Sequence, residues 1–147
     1  MNRACVGQSA FALAQAAGVA VPPTTPLLIG ETEFAHAFVQ HEQMMPFVPF
    51  VRVADVDEAI RSAIQSERGF HHTALIHSRN IDNITRFGRV ASVTLLVVNG
   101  PSVAGVGLDG QGYLSYSIAT ATGEGLTNPL TFTRHRRAMM TGSLRMI

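Results

Sequence analysis

The chain has 147 residues, of which 46% are hydrophobic and 14% charged, with a formal net charge of +1. This composition excludes a disordered tail and is enough for one domain with a sizeable core, while the near-neutral balance gives no general field for nucleic acid or a membrane surface. A single cysteine excludes an internal disulfide framework and a cysteine-rich metal site.

Taken in chain order, SAFALAQAAG predicts an apolar helix with Ser9 as N-cap and Gly18 as its stop. The apolar run from Ser9 to Val21 lacks a basic leader and is broken by VPP, so it predicts neither a secretory signal nor a membrane span. The expected location is the cytoplasm. VPPTTP forces an extended link, because proline fixes φ and removes amide donors. LLIGE is a short strand candidate, EFAHAFVQHE a short helix and MMPFVPFVRV an extended run. ADVDEAIRSAIQSERG carries the clearest helical signature, with Asp55 as cap, Gly69 as stop and a stripe of Val56, Ala59, Ile60, Ala63 and Ile64.

HTALIHS reads as a buried strand, RNIDNITRFGRVAS as a second amphipathic helix and TLLVVNGP as the strongest strand. Short apolar strands alternating with helices predict an α/β layer with parallel pairing. From Gly100 to Gly125 the glycine content and the lack of a helical period predict a long mobile loop, the kind that often serves a site. TFTRHRRAMMTGSLRMI predicts an arginine-rich segment running into a final strand.

Several motifs fail on mechanism. Gly105, Gly107 and Gly110 match G-x-G-x-x-G, but a β-like stretch follows instead of a helix, and no acidic residue stands about 20 positions on. His72 and His77 would face opposite sides of a strand, and His71 would lie roughly 20 Å from His77 along it. HEQMM has Met45 where a zinc-protease helix needs its second histidine. No metal site is expected. GQSAF lacks one glycine of the serine-hydrolase elbow. Arg134, His135, Arg136 and Arg137 form a basic patch too local for nucleic acid, without interleaved aromatics. Glu42, beside the apolar MMPFVPF, is either satisfied by an amide or hydroxyl or binds a ligand hydroxyl; the residues alone leave both open.

The segments VGQSAFALAQAAGV, HEQMMPFVPFVRVADVDEAI, HHTALIHSRNIDNITR, VVNGPSVAGVGLDGQGY and IATATGEGLTNPLTFTRHRR stand in an order that resembles the C-terminal part of the CoA-acylating aldehyde dehydrogenases. The nearest resemblance is to the ethanolamine- and propanediol-utilisation enzymes of bacterial microcompartments. It implies part of an α/β catalytic lobe, with a mostly parallel sheet, flanking helices and a C-terminal pairing strand, 1–147 forming one domain. It implies NAD and CoA as cofactors and a cysteine thiolate that attacks the aldehyde. By the same resemblance Glu42 contacts the nicotinamide ribose. Asn99, Gly100, Pro101 and Ser102 lie near the acyl or CoA channel, with His71 and His72 as further candidates, and Thr122, Gly123 and Glu124 belong to a late loop facing the site.

The family's nucleotide-binding lobe and nucleophile fall upstream of everything quoted, so the chain is expected to be inactive alone, with no catalytic residue of its own. Cys5 reads as structural, being close to a terminus and without an evident electropositive pocket. Homo-oligomerisation through the final strand is expected, with no nucleic-acid or membrane partner. The microcompartment lumen is a second location. The alternatives are a non-catalytic assembly or regulatory α/β module and a small module that binds CoA or a nucleotide.

Overall fold

The computed structural model describes residues 2–109, 112–118 and 125–142. The chain divides into two compact units, Met1–Arg68 and Gly69–Ile147, and each is taken by itself.

The first unit opens with a 3-10 turn, Arg3–Cys5, capped by the Asn2 side chain. Helix α1, Ala10–Ala16, starts where Ser9 accepts a hydrogen bond from the Ala12 amide, as its hydroxyl predicts. Its buried positions, Ala10 and Ala14, are four apart and so share one face. Strands β1 (Leu28–Glu31) and β2 (Phe47–Phe50) pair in parallel, Leu28 opposite Phe47 and Glu31 opposite Phe50. Gly30 is needed there, because a Cβ would stand 2.9 Å from the Phe47 ring. The Pro46 and Phe50 carbonyls accept from Leu28 and Thr32, so the alternation places Pro49, which has no N–H, on the outer edge of β2.

Helix α2 between the strands is a single turn, Ala37–Gln40, shorter than the sequence predicts. It sets Phe38 edge-on to Phe47 at 5.3 Å, covering one side of the sheet. Helix α3, Val56–Glu67, is held at its start by reciprocal bonds: Asp55 accepts from the Glu58 amide, and the Glu58 carboxylate accepts from Ala54 N–H, both at 2.8 Å. Arg68 ends it in the left-handed region at φ 58°, ahead of Gly69. The Val56–Ile64 stripe is present, but no residue of α3 is buried.

At the sheet end, Arg52 clasps Glu31 through two bonds of 3.0 and 3.1 Å, holding the carboxyl below its usual range. A depressed carboxyl contributes stability above its unfolded value near 4.5 and loses it as pH falls through the lower folded value. Both side chains are exposed, so Arg52→Ala should leave thermal stability nearly unchanged at pH 7 and slightly reduce its fall below pH 4.5, checked by melting curves across pH.

The second unit contains strands β3 (Thr73–Ile76) and β4 (Leu95–Val98), parallel and joined through α4, Ile81–Val90. Asn80 caps α4 by accepting from the Asp82 and Asn83 amides. Phe87 on α4 and Ala91, the residue that caps its C-terminus, join Leu95 and Val97 on β4 as buried apolar residues. The Gly100–Gly125 stretch, expected to be one mobile loop, instead begins with a 3-10 helix over Ser102–Val106 that lies against β4. Gly105 permits this approach, since a Cβ would meet Val97 at 3.0 Å. Farther on, Tyr113 O–H donates to the Leu126 carbonyl, and Thr127, 1% exposed, donates through its hydroxyl and amide to the Ser117 carbonyl at 2.8 and 2.9 Å.

The α/β character and the parallel pairing are as the sequence predicts, realised as two two-stranded sheets among the described residues. A further 3-10 turn covers Pro129–Phe132. Of the predicted final strand only Gly142 is described; Ser143 to Ile147 lie outside the described residues.

Candidate functional site

The predicted site residues fall into three places. Glu42 follows α2 in the first unit; its carboxylate is exposed and makes no hydrogen bond or ion pair among the described residues. It is therefore free to accept a hydrogen bond from a ligand hydroxyl, the second of the two readings the sequence leaves open.

Asn99 to Ser102 lie at the carboxyl end of β4. The Asn99 backbone takes the left-handed conformation, φ 55°, which asparagine tolerates better than most residues. Its amide donates to the Ile76 carbonyl at 2.9 Å, adding a rung to the β3–β4 ladder. Its side chain then repeats the pattern on Ser78: Oδ1 accepts from the Ser78 N–H at 2.8 Å, and Nδ2 donates to the Ser78 carbonyl at 2.9 Å. The Ser78 hydroxyl accepts from Asn80 N–H, and Asn80 caps α4. The ends of two strands and the start of a helix are thus tied into one polar relay. Ser78 and Asn80 were not singled out by the sequence reading, although Ser-x-Asn ahead of an amphipathic run is a helix-start signal.

Oδ1 and one N–H of the Asn99 side-chain amide bond Ser78, and Gly100, Pro101 and Ser102 follow in the chain. Pro101 stands at the head of the 3-10 helix in an extended conformation, with no side-chain cap bond. We predict that Asn99→Gly, which keeps the backbone conformation and removes the latch, costs about 2 kcal/mol. Asn99→Ala adds the left-handed penalty, for about 3 kcal/mol in all. Urea melts check both, and equal stability in all three proteins would show the latch to be inert.

His71 and His72 are at the other end of the same strands. His71, at φ 55°, places Nδ1 against the Ser92 carbonyl, and His72 Nδ1 contacts the Thr73 hydroxyl at 2.7 Å. Four strand residues, about 13 Å, separate the two groups, so the structure does not bring the histidines to the Asn99 end. Ligands of parallel α/β sheets sit beyond the carboxyl ends of strands, which favours Asn99–Ser102. Thr122, Gly123 and Glu124 lie outside the described residues.

Cys5 is half-buried and lines an apolar groove of about 460 Å³ in the first unit, whose walls also include Leu13, Phe38, Met45 and Phe47. No arginine or histidine lines that groove. Among the described residues no group of acidic, histidine and cysteine side chains could hold a metal ion, and no helix is long and apolar enough to cross a membrane.

No family model matches the chain. The acetaldehyde dehydrogenase (acetylating) of Salmonella typhimurium is 46% identical over 147 residues, which is 100% of this chain and 32% of that protein. The chain is a relative of the CoA-acylating aldehyde dehydrogenases. It spans about a third of the length of the proteins it matches. The propionaldehyde dehydrogenase of Rhodopseudomonas palustris, solved with bound CoA and an acylated cysteine, superposes with a TM-score of 0.83 at 43% identity, covering 90% of this chain and 30% of that one. The propionaldehyde dehydrogenase of the Clostridium phytofermentans fucose utilisation bacterial microcompartment gives 0.87 at 41%, covering 95% and 32%. The two parallel strand pairs and their helices are therefore elements of the aldehyde dehydrogenase fold.

Proposed function

We propose that this chain is the C-terminal part of the catalytic lobe of an enzyme that converts an aldehyde, CoA and NAD to an acyl-CoA and NADH, residues 1–147 forming one stretch of that lobe. The observation that carries the reading is the 46% identity, over all 147 residues, to an acetylating acetaldehyde dehydrogenase. In this chemistry NAD takes up hydride and CoA supplies the thiol that releases the acyl group.

The chain's own residues would bind and orient. The unpaired Glu42 carboxylate accepts hydrogen bonds from the ribose hydroxyls beside the nicotinamide. Gly100, Pro101 and Ser102 offer their backbone at the carboxyl end of β4 to the acyl or CoA group, and the Asn99 bonds to Ser78 hold that strand end in place. Thr122, Gly123 and Glu124 complete the site from the late loop. His71 and His72, with Nδ1 atoms against the Ser92 carbonyl and the Thr73 hydroxyl, are the further candidates for the acyl or CoA channel. No nucleophile comes from this chain, because Cys5 has no activating group in its groove. Homo-oligomerisation through the C-terminal strand and residence in a microcompartment lumen belong to the same proposal.

The test is NADH formation from propionaldehyde and CoA. The 147-residue chain alone should give none, and robust turnover by it would sink the claim that it supplies no nucleophile. Joined in place of the matching stretch of the Salmonella typhimurium enzyme, it should restore turnover. There Glu42→Gln should raise the KM for NAD about tenfold with a smaller change in kcat, because a hydrogen bond to a charged group is worth about 1.5 kcal/mol or more.

A further inference from the structure

Asn99 stands where a reaction of the chain with itself can start. Of the asparagines, Asn99 alone is followed by glycine; Asn2, Asn80, Asn83 and Asn128 precede Arg3, Ile81, Ile84 and Pro129. A backbone nitrogen can attack the side-chain carbonyl of the asparagine before it. A bulky residue at the attacking position hinders the approach, and proline has no N–H to lose. Glycine puts no side chain in the way. Among the described residues the Gly100 N–H donates no hydrogen bond, and Asn99 is exposed to water. Packing does not require glycine at this position either. Gly100 lies outside the left-handed region, and an added Cβ would meet Val97 Cγ1 at 3.4 Å, an ordinary contact.

We propose that Asn99–Gly100 is a self-modification site gated by the bonds to Ser78. The Gly100 nitrogen bonds to Asn99 Cγ, the Cγ–Nδ2 bond breaks, and the proton from Gly100 leaves on Nδ2 as ammonia. A cyclic imide remains. Water opens it at either carbonyl to give aspartate or isoaspartate. The net change is amide plus water to acid plus ammonia, with no oxidant, reductant or cofactor. Ring closure needs Cγ to turn onto the Gly100 nitrogen. In the folded chain Oδ1 accepts from Ser78 N–H at 2.8 Å and Nδ2 donates to the Ser78 carbonyl at 2.9 Å, and these bonds restrain that rotation. The product cannot restore both. A carboxylate oxygen replaces the Nδ2 donor opposite the Ser78 carbonyl, and the isoaspartyl form also lengthens the backbone ahead of Gly100. Each conversion therefore unties the carboxyl ends of β3 and β4 irreversibly. The inference goes beyond the enzyme reading and does not depend on it.

The experiment incubates the 147-residue chain at mildly alkaline pH, in buffer and in concentrated urea, and maps its peptides by mass spectrometry. Asn99 should gain the amide-to-acid mass difference, enlarged in heavy-oxygen water, ahead of every other asparagine. Asp109 also precedes glycine, but its isomerisation leaves the mass unchanged. Conversion should run about tenfold or more faster in urea, where the bonds to Ser78 are gone. Gly100→Ala should slow it in both media while moving the melting midpoint by less than about 2 °C. Converted chain should melt about 4 °C below fresh chain, and Asn99→Asp should reproduce the loss. Equal rates in buffer and urea would remove the gate. No conversion at Asn99 in buffer, or conversion led by another asparagine, would remove the site. Converted chain as stable as fresh chain would remove the consequence for the strand ends. Any of the three overturns the proposal. The same comparison in the chimera with the Salmonella typhimurium enzyme covers an isolated chain that shows no melting transition. NADH formation is not read, so failure of the enzyme reading leaves these outcomes unchanged.

Discussion

Phe87→Ala should lower the stability of the second unit by about 3–4 kcal/mol, measured by urea unfolding followed by far-UV circular dichroism. Phe87 is 4% exposed on α4 and, among the described residues of this unit, is the one aromatic side chain in the buried apolar set, which otherwise holds Ala91, Leu95, Val97 and Leu126. Removing the ring takes away the one side chain that α4 fully buries among the described residues, and a small neighbour such as Ala91 has little reach to refill the space. Phe87→Leu preserves more volume and should cost about 1.5 kcal/mol or less. A Phe87→Ala loss no greater than that of Phe87→Leu would mean that α4 is held chiefly by its Asn80 cap and the Ser78–Asn99 relay.

Gly107→Ala should be as damaging, at about 3 kcal/mol or more, for a different reason. The residue sits at φ 97°, which alanine adopts only with strain. An added Cβ would also overlap the Tyr113 carbonyl oxygen and stand 2.9 Å from Leu114 Cα. Both neighbours are backbone, so relief requires the loop to move. Gly112 separates the two causes. Its φ is 99° and nothing lies within 4 Å of a Cβ there, so Gly112→Ala measures backbone strain alone and should cost about 1–2 kcal/mol. Equal losses at the two glycines would show that the Tyr113 contact contributes nothing. The comparison also explains a motif: Gly105 and Gly107 match a phosphate-binding spacing, yet each is accounted for by close packing, Gly105 against Val97 and Gly107 against Tyr113 and Leu114.

Local chemistry was legible in the sequence because its causes lie within a few residues. The Ser9 and Asp55 caps, the reversal after Glu67 and the β-branched run of β4 each follow from one side chain or one short pattern. The resemblance was legible for a similar reason, since HHTA, NGPS and the late glycine loop are contiguous strings. Two things were not. The 3-10 helix at Ser102–Val106 was hidden by glycine, whose presence there reflects the nearness of Val97 and not freedom of the backbone. The stripe on α3 was read correctly as an apolar face, but a stripe records only what a helix can bury: Val56 and Ile60 are half-buried, while Ala59, Ala63 and Ile64 stay exposed.

The sequence by itself determined the longer helices, the strands, the α/β class and the kinship, because period, capping and motif order are properties of the chain. Only the tertiary structure decided which site candidates belong together. Parallel strands have two ends, and four residues of β3 set His71 and His72 at one and Asn99 to Ser102 at the other. It also brought Asn99 to Ser78, a partner 21 residues away that only folding places within hydrogen-bond reach, so that Oδ1 and one N–H of Nδ2 tie the two strand ends together.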